Sequence, residues 1–79
     1  MPFYFFIWDG ENDAHIAEHD VGIEEVQEVV CGPTRVEASA SSGRPIAFGW
    51  TSTGRFLACV YELLDEDTVY PISAYEVEP

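Results

Sequence analysis

A chain of 79 residues allows one small domain with a thin hydrophobic core. It carries fifteen acidic residues against three basic ones, all arginine, for a formal net charge of −12. This charge argues against a protein that grips a nucleic-acid backbone or docks on anionic membranes, because both contacts need a surface of Lys and Arg. Hydrophobic residues make up 47% and aromatic residues 14% of the chain, which is enough to fold and argues against disorder.

The N-terminal part predicts one strand and a first helix. Phe3–Trp8 is aromatic and β-branched, which favours a strand with both faces covered or with one face on a partner. An acidic break follows, in which Asp9 or Asn12 can cap a helix over Glu11–His19. The apolar run is too short to cross a membrane and no basic residue precedes it, so we expect a cytoplasmic protein without a signal peptide.

A second helix is predicted from apolar residues at helical spacing, and it ends at Gly32-Pro33. Its last residue is Cys31, whereas Cys59 falls in a strand-like segment. Two cysteines are too few for a disulfide-dense scaffold, and we expect buried free thiols. No pair of C-x-x-C motifs is present, which excludes a zinc ribbon. The apolar positions of this helix are Ile23, Val26, Val29 and Val30.

From Thr34 onward the hydrophobic period changes to two, which predicts four further strands. The longest is Arg55–Leu64, and Pro71 within the last strand predicts an edge position or a bulge. The order is β-α-α-β-β-β-β. We therefore predict a single α+β domain over residues 1–79, with two N-terminal helices packed on one face of a mostly antiparallel, four- to five-stranded sheet. Turns are predicted at Ser39–Gly43, Thr51–Gly54 and Asp65–Asp67.

Two local motifs suggest metal binding. His15–His19 fits H-x-x-E-H, in which two histidines on one helix face ligate zinc and the Glu activates water. Asp9–Asp13 resembles the start of a calcium loop, but Ala14 stands where the turn glycine belongs and Asp20 where the bidentate Glu belongs. Solvent-facing histidines and helix-capping acids account for both motifs, and we expect no metal and no cofactor.

Two of the three arginines flank one predicted hairpin. Arg44 precedes the strand that begins at Ile46, and Arg55 begins the strand that follows the Gly54 turn. If their side chains lie close together, they form a clamp for a small anion or phosphate. The alternative is pairing with nearby carboxylates, which the excess of acidic residues favours.

An ordered set of short motifs over about residues 5 to 75 resembles the BrnT family of toxin proteins, which have a RelE-like fold. Its first part is a strand that ends in Trp-Asp, and a His-Asp-Val segment and a Glu-rich helix follow. The motifs are Phe6-Ile7-Trp8-Asp9 with Asn12, His19-Asp20-Val21, Ile23–Val29, Gly49, Gly54-Arg55-Phe56-Leu57, Val60-Tyr61-Glu62 and Ile72-Ser73-Ala74.

The resemblance implies a ribonuclease toxin that a ribbon-helix-helix antitoxin neutralises. After Ile-Ser-Ala the family continues with Arg-Lys and a basic helix, whereas this chain has Tyr75-Glu76 and lacks the basic helix. RNA cleavage needs basic groups to stabilise the developing charge. The candidate catalytic residues are His19, Arg44 and Arg55, with Tyr75 in the place of an Arg.

Few basic groups remain, so we expect a toxin-like component of a type II toxin–antitoxin system that acts mainly through protein binding. Its partner would be a ribbon-helix-helix antitoxin or another basic protein, with RNA cleavage as a further activity. The alternative is a small non-catalytic acidic interaction domain. Its acidity would reflect either adaptation to high salt or a basic partner.

Overall fold

The computed structural model describes residues 4–79, so Phe3 of the predicted first strand lies outside the described residues. The α+β class and the order β-α-α-β-β-β-β are confirmed. The elements are β1 (Phe5–Phe6), α1 (Asn12–Ala17), α2 (Ile23–Cys31), β2 (Arg35–Ala38), β3 (Pro45–Trp50), β4 (Phe56–Leu63) and β5 (Thr68–Glu76).

The five strands form one mixed sheet in the order β1-β5-β4-β3-β2. All neighbours are antiparallel except β1, which pairs in parallel with β5. That pairing joins only Phe5 to Thr68 and Phe6 to Val69. The predicted sheet of mostly antiparallel strands is therefore confirmed, with one short parallel strand at its margin.

Pro71 lies at an irregularity in β5, as its lack of an N–H group predicts. The register with β4 shifts because Val60 pairs with Ser73 and Tyr61 with Pro71, so Ile72 is bulged out. β1 ends opposite Val69, and no described strand flanks β5 at Pro71 on the side away from β4. The N–H group that Pro71 lacks is therefore not needed for a hydrogen bond to β1.

Helix α1 is shorter than predicted and packs at the edge of β5. It ends at Ala17 because the following N–H groups of His19 and Asp20 bond to carbonyls only three residues back, and Asp20 has a left-handed φ of 58°. It packs along β5, where the Asn12 amide donates to the carbonyls of Ile7 (2.9 Å) and Pro71 (3.0 Å). The Ile16 side chain of α1 belongs to the same core cluster as Val26 and Val29 of α2. Helix α1 therefore packs against this core at the edge of β5 beyond β1.

Helix α2 covers one face of β3 and β4 and closes the core. Its end lies very close to β3, since a Cβ on Gly49 would meet Val29 and Pro33 at 3.4 Å. A methyl group at position 49 would just touch these atoms, so the end of α2 and β3 leave no room for a larger side chain there. The main core residues are Ile16, Val21, Val26, Val29, Val30, Ala47, Leu57, Cys59, Tyr61, Val69 and Ala74.

Within the described part of the chain, residues 4–79, no helix has the length and apolar character needed to cross a membrane.

The two free thiols differ in burial, which predicts different reactivity. Cys31 is partly exposed, whereas Cys59 is fully buried, and burial raises the pKa of the Cys59 thiol to about 12. We expect a disulfide reagent at about pH 8 to modify Cys31 first and Cys59 only after denaturation, because the thiolate is the reactive form. The check is to follow the reaction of the Cys31→Ser variant with the same reagent. A fast phase of thiol modification that remains in this variant would contradict the prediction.

Candidate binding surface

The sheet face opposite α2 carries an aromatic patch, formed by Phe48, Trp50 and Phe56, in which Trp50 is exposed, Phe48 is partly exposed and Phe56 is buried beneath them. Alternation from the core residues Leu57 and Cys59 places Phe56 on this face, and the β3–β4 register pairs it with Trp50. Ring centroids lie 5.0 Å apart for Trp50–Phe56 and 6.5 Å apart for Phe48–Phe56. Trp50 is 51% exposed. We call this side of the sheet the open face.

Arg35 of β2 borders the aromatic patch. Its guanidinium lies 4.1 Å from the centroid of the Phe48 ring, a cation–π contact. Its Nε also donates to Glu37 at 2.6 Å. The positive charge at this margin is therefore already compensated, and the apolar rings rather than a free cation characterise this end of the open face.

A cleft of about 350 Å³ lies between α1 and the end of the open face that is far from the aromatic patch. Arg44 stands just before β3, and extending the β3–β4 register places it opposite Glu62. Among residues 4–79, Arg44 is the only arginine whose guanidinium forms no ion pair. We call this the α1 cleft; it is lined by Glu11, Asn12, His15, Arg44, Glu62, Tyr70 and Ile72.

Hydrogen bonds fix one wall of the α1 cleft. The Asp9 carboxylate accepts the backbone N–H groups of Asn12 (3.0 Å) and Glu11 (2.8 Å) and the hydroxyl of Tyr70 (2.8 Å). These hydrogen bonds hold the pKa of Asp9 below its usual range, and the bond from the Asn12 N–H has the largest effect. In turn, the hydrogen bond to the Asp9 carboxylate raises the pKa of Tyr70. The N-cap residue of α1 is Glu11 and not the predicted Asp9 or Asn12, but the Asp9 carboxylate accepts the first N–H groups of this segment and also orients Tyr70.

Three of the four predicted catalytic residues lie on or beside the open face. The rings of His19 and Tyr75 are 6.1 Å apart, and His19 is 5.9 Å from His15 of the α1 cleft. His15, His19 and Tyr75 therefore form a row that leads away from Arg44. Sequence reasoning missed His15 and Tyr70 as lining residues, because only the packing of α1 on β5 brings them together.

Arg55 lies apart from this row. Alternation places it on the α2 side with Leu57, where it donates to Glu25 (3.0 Å), Glu76 (3.3 Å) and the carbonyl of Asp20 (2.8 Å). Pairing with carboxylates is thus confirmed for Arg55.

The predicted proximity of Arg44 and Arg55 is wrong. The hairpin pairs Ile46 with Val60 and Trp50 with Phe56, so the residues just before β3 and just before β4 stand at opposite ends of the sheet. The two arginines therefore cannot clamp one small anion.

The H-x-x-E-H motif is not wholly helical, because α1 ends at Ala17 before His19. His15 Nδ1 lies 3.7 Å from a carboxylate oxygen of Glu18. In residues 4–79, no group of three or more His, Cys, Asp or Glu side chains is arranged to hold a metal ion.

No family model, curated protein or solved structure matches this chain. Function must therefore be argued from the fold and the surface themselves. These define a small acidic α+β domain, with α2 packed on one sheet face and the aromatic patch, with its exposed Trp50, on the other.

Proposed function

We propose that the protein is a protein-binding module that holds its partner on the open face. The observation that carries this proposal is the exposed Trp50 ring, which packs with the partly exposed Phe48 and the buried Phe56 in one aromatic patch. Clustered aromatic rings are typical of interface centres, and truncating such rings often removes most of the binding energy.

Charge indicates what kind of segment the open face would take. The protein carries a net charge of −12, and alternation places Glu37 and Glu62 on the same face as the aromatic patch. A partner with apolar anchors flanked by Lys and Arg would match both features. Such complementarity speeds association and selects against acidic partners.

The resemblance to the BrnT family supplies a specific form of this proposal. The protein would be the RelE-like, toxin-like component of a type II toxin–antitoxin pair in the cytoplasm, and the partner a ribbon-helix-helix antitoxin. The order β-α-α-β-β-β-β and the acidic surface support it. Should no such partner exist, the proposal reduces to a small acidic interaction domain with another basic partner.

Co-expression tests this form of the proposal. The protein is produced with the product of a neighbouring short reading frame that encodes a ribbon-helix-helix protein, and the pair is purified through a tag on one member. We expect a stoichiometric complex that Trp50→Ser disrupts. The matched control is Leu64→Ser, since Leu64 is 54% exposed but lies beyond β4. Equal recovery with both variants would refute the open face as the binding surface.

RNA cleavage is a second candidate function, favoured by the pairing of His19 with Tyr75 and by the unpaired Arg44. An imidazole can act as the acid or base and a guanidinium can stabilise the phosphate charge. The test is incubation with RNA at low and high salt, comparing the unaltered protein with His19→Ala and Arg44→Ala. Absence of cleavage at every salt concentration, or cleavage that both variants retain, would refute it.

A salt titration of stability bears on the origin of the acidity. We expect the melting temperature to rise between about 0.1 and 2 M NaCl, because screening relieves repulsion among the fifteen acidic residues. Thermal melts followed by circular dichroism measure this. A flat response would rule out adaptation to high salt and leave a basic partner as the reason for the acidity.

A further inference from the structure

We propose that the α1 cleft is a separate binding site for a carboxylate that lies next to a cation. The group would be a free basic amino acid or the C-terminal residue of a basic peptide. This site does not depend on the aromatic patch.

The first argument is the unpaired guanidinium. Arg35 and Arg55 each form ion pairs, but Arg44 forms none in the described chain although it lines the cleft together with Glu11 and Glu62. A guanidinium binds a carboxylate through two parallel hydrogen bonds. Arg44 is therefore free to take the carboxylate of a ligand.

The second argument is the pair of carboxylates opposite it. The side chains of Glu11 and Glu62 accept no hydrogen bond from any described residue. The two carboxylates would attract the cationic part of a ligand. Together with the net charge of −12, they would repel a ligand that carries only negative charge. Arg44 in turn disfavours a lone cation. A ligand that carries both charges satisfies all three side chains.

The third argument is size and lining. A volume of about 350 Å³ lies at the small end of the range for ligand pockets and suits one amino-acid residue. Ile72 and the ring of Tyr70 offer apolar surface to an aliphatic stem. Asn12 and the Tyr70 hydroxyl are already hydrogen-bonded, so they shape the cleft rather than rearrange.

Titrations followed by two-dimensional NMR of the ¹⁵N-labelled protein test this site with defined probes. We expect L-arginine to shift the amide signals of His15 and Ile72 with a dissociation constant of about 1 mM. Agmatine lacks the carboxylate and acetate lacks the cation, so each should bind at least about tenfold more weakly. The tripeptide Gly-Gly-Arg is compared with free arginine. Tighter binding of the tripeptide would identify the ligand as a peptide C-terminus, and tighter binding of arginine would identify it as a free amino acid.

Variants make the assignment specific. Arg44→Met and Glu62→Gln should each weaken arginine binding at least about tenfold, because each removes one charged contact. Glu24→Gln is the matched control, since Glu24 is an exposed carboxylate on α2 and outside the cleft. Trp50→Ser should leave arginine binding intact, which separates this site from the open-face proposal.

Three results would overturn the inference. The first is the absence of a saturable shift with arginine up to about 50 mM, and the second is unchanged binding to Arg44→Met. The third is tighter binding of adenosine monophosphate than of arginine, which would mark the cleft as a phosphate site and support RNA as a ligand instead.

Discussion

Replacing Glu25 by alanine is expected to lower the free energy of unfolding by about 2 kcal/mol. The Glu25 carboxylate accepts the backbone N–H of Gly22 (3.0 Å), the hydroxyl of Thr53 (2.8 Å) and the guanidinium of Arg55 (3.0 Å). It thus satisfies the free N–H of the N-cap residue Gly22 and also ties α2 to the β3–β4 turn and to Arg55 at the start of β4. Alanine would leave all three donors without this acceptor.

The matched control is the neighbouring residue. Glu24 occupies the same turn of α2 but is exposed, and its side chain makes no hydrogen bond or ion pair to a described residue. Glu24→Ala should therefore change the free energy of unfolding by less than about 0.5 kcal/mol. Urea denaturation of both variants measures the difference. If both variants lose the same free energy of unfolding, the stabilisation comes from negative charge near the start of α2 and not from the hydrogen bonds of Glu25.

The same network predicts the direction of a pH effect. The bond from Gly22, with those from Thr53 and Arg55, holds the pKa of Glu25 below its ordinary value of 4.5. A lowered pKa in the folded state stabilises the fold above that ordinary value, and this contribution is lost as the pH falls through the folded-state pKa. The stability gap between the unaltered protein and Glu25→Ala should therefore narrow below about pH 4.5. A gap that widens in acid would contradict this.

Arg55 belongs to this network, which changes how its variants must be interpreted. Its guanidinium joins Glu25, Glu76 and the carbonyl of Asp20, so it links α2, β5 and the segment between the helices. We expect Arg55→Ala to destabilise the fold because these acceptors lose their donor. Loss of an activity in that variant would not by itself identify a catalytic residue, and thermal melts must accompany every assay.

Trp50→Ser is expected to weaken binding of the ribbon-helix-helix partner at least about thirtyfold. The Trp50 ring packs against the buried Phe56 at 5.0 Å yet is 51% exposed, so it offers a large apolar surface to a partner. Burying such a ring removes apolar surface from water. Isothermal titration calorimetry with the purified partner measures the change.

Two controls separate binding from folding in that experiment. Trp50→Ser removes a ring that packs on the buried Phe56, so a thermal melt must show that the variant is folded at the temperature of the titration. Leu64→Ser, which changes a similarly exposed side chain after β4, should bind within about threefold of the unaltered protein. A Leu64→Ser loss as large as that of Trp50→Ser would contradict a localised surface.

The order of elements could be predicted because local signals agree with it. Val26, Val29 and Val30 mark one helix face, and all are buried against the sheet. Gly54 supplies the positive φ of 86° at the β3–β4 turn, as predicted. Pro71 marks the irregularity of β5. Each signal is confined to a few neighbouring residues and needs no knowledge of the tertiary packing.

The site depends on tertiary packing, which explains what sequence reasoning missed. The spacing of Phe48, Trp50 and Phe56 shows that they share a face, but the sequence does not reveal that α2 covers the opposite one. The position of α1 on β5 is set by the Asn12 bonds to Ile7 and Pro71, the latter fifty-nine residues away. Contacts across such a separation leave no local pattern in the sequence.

Mapping the partner onto this surface tests the central claim most directly. Amide hydrogen exchange of the protein is measured alone and in complex with the ribbon-helix-helix partner. We predict new protection in β2, β3 and β4 around Phe48, Trp50 and Phe56, with α2 unchanged because it lies on the opposite face of the sheet. Protection confined to α2, with exchange around Trp50 unaltered, would contradict the account.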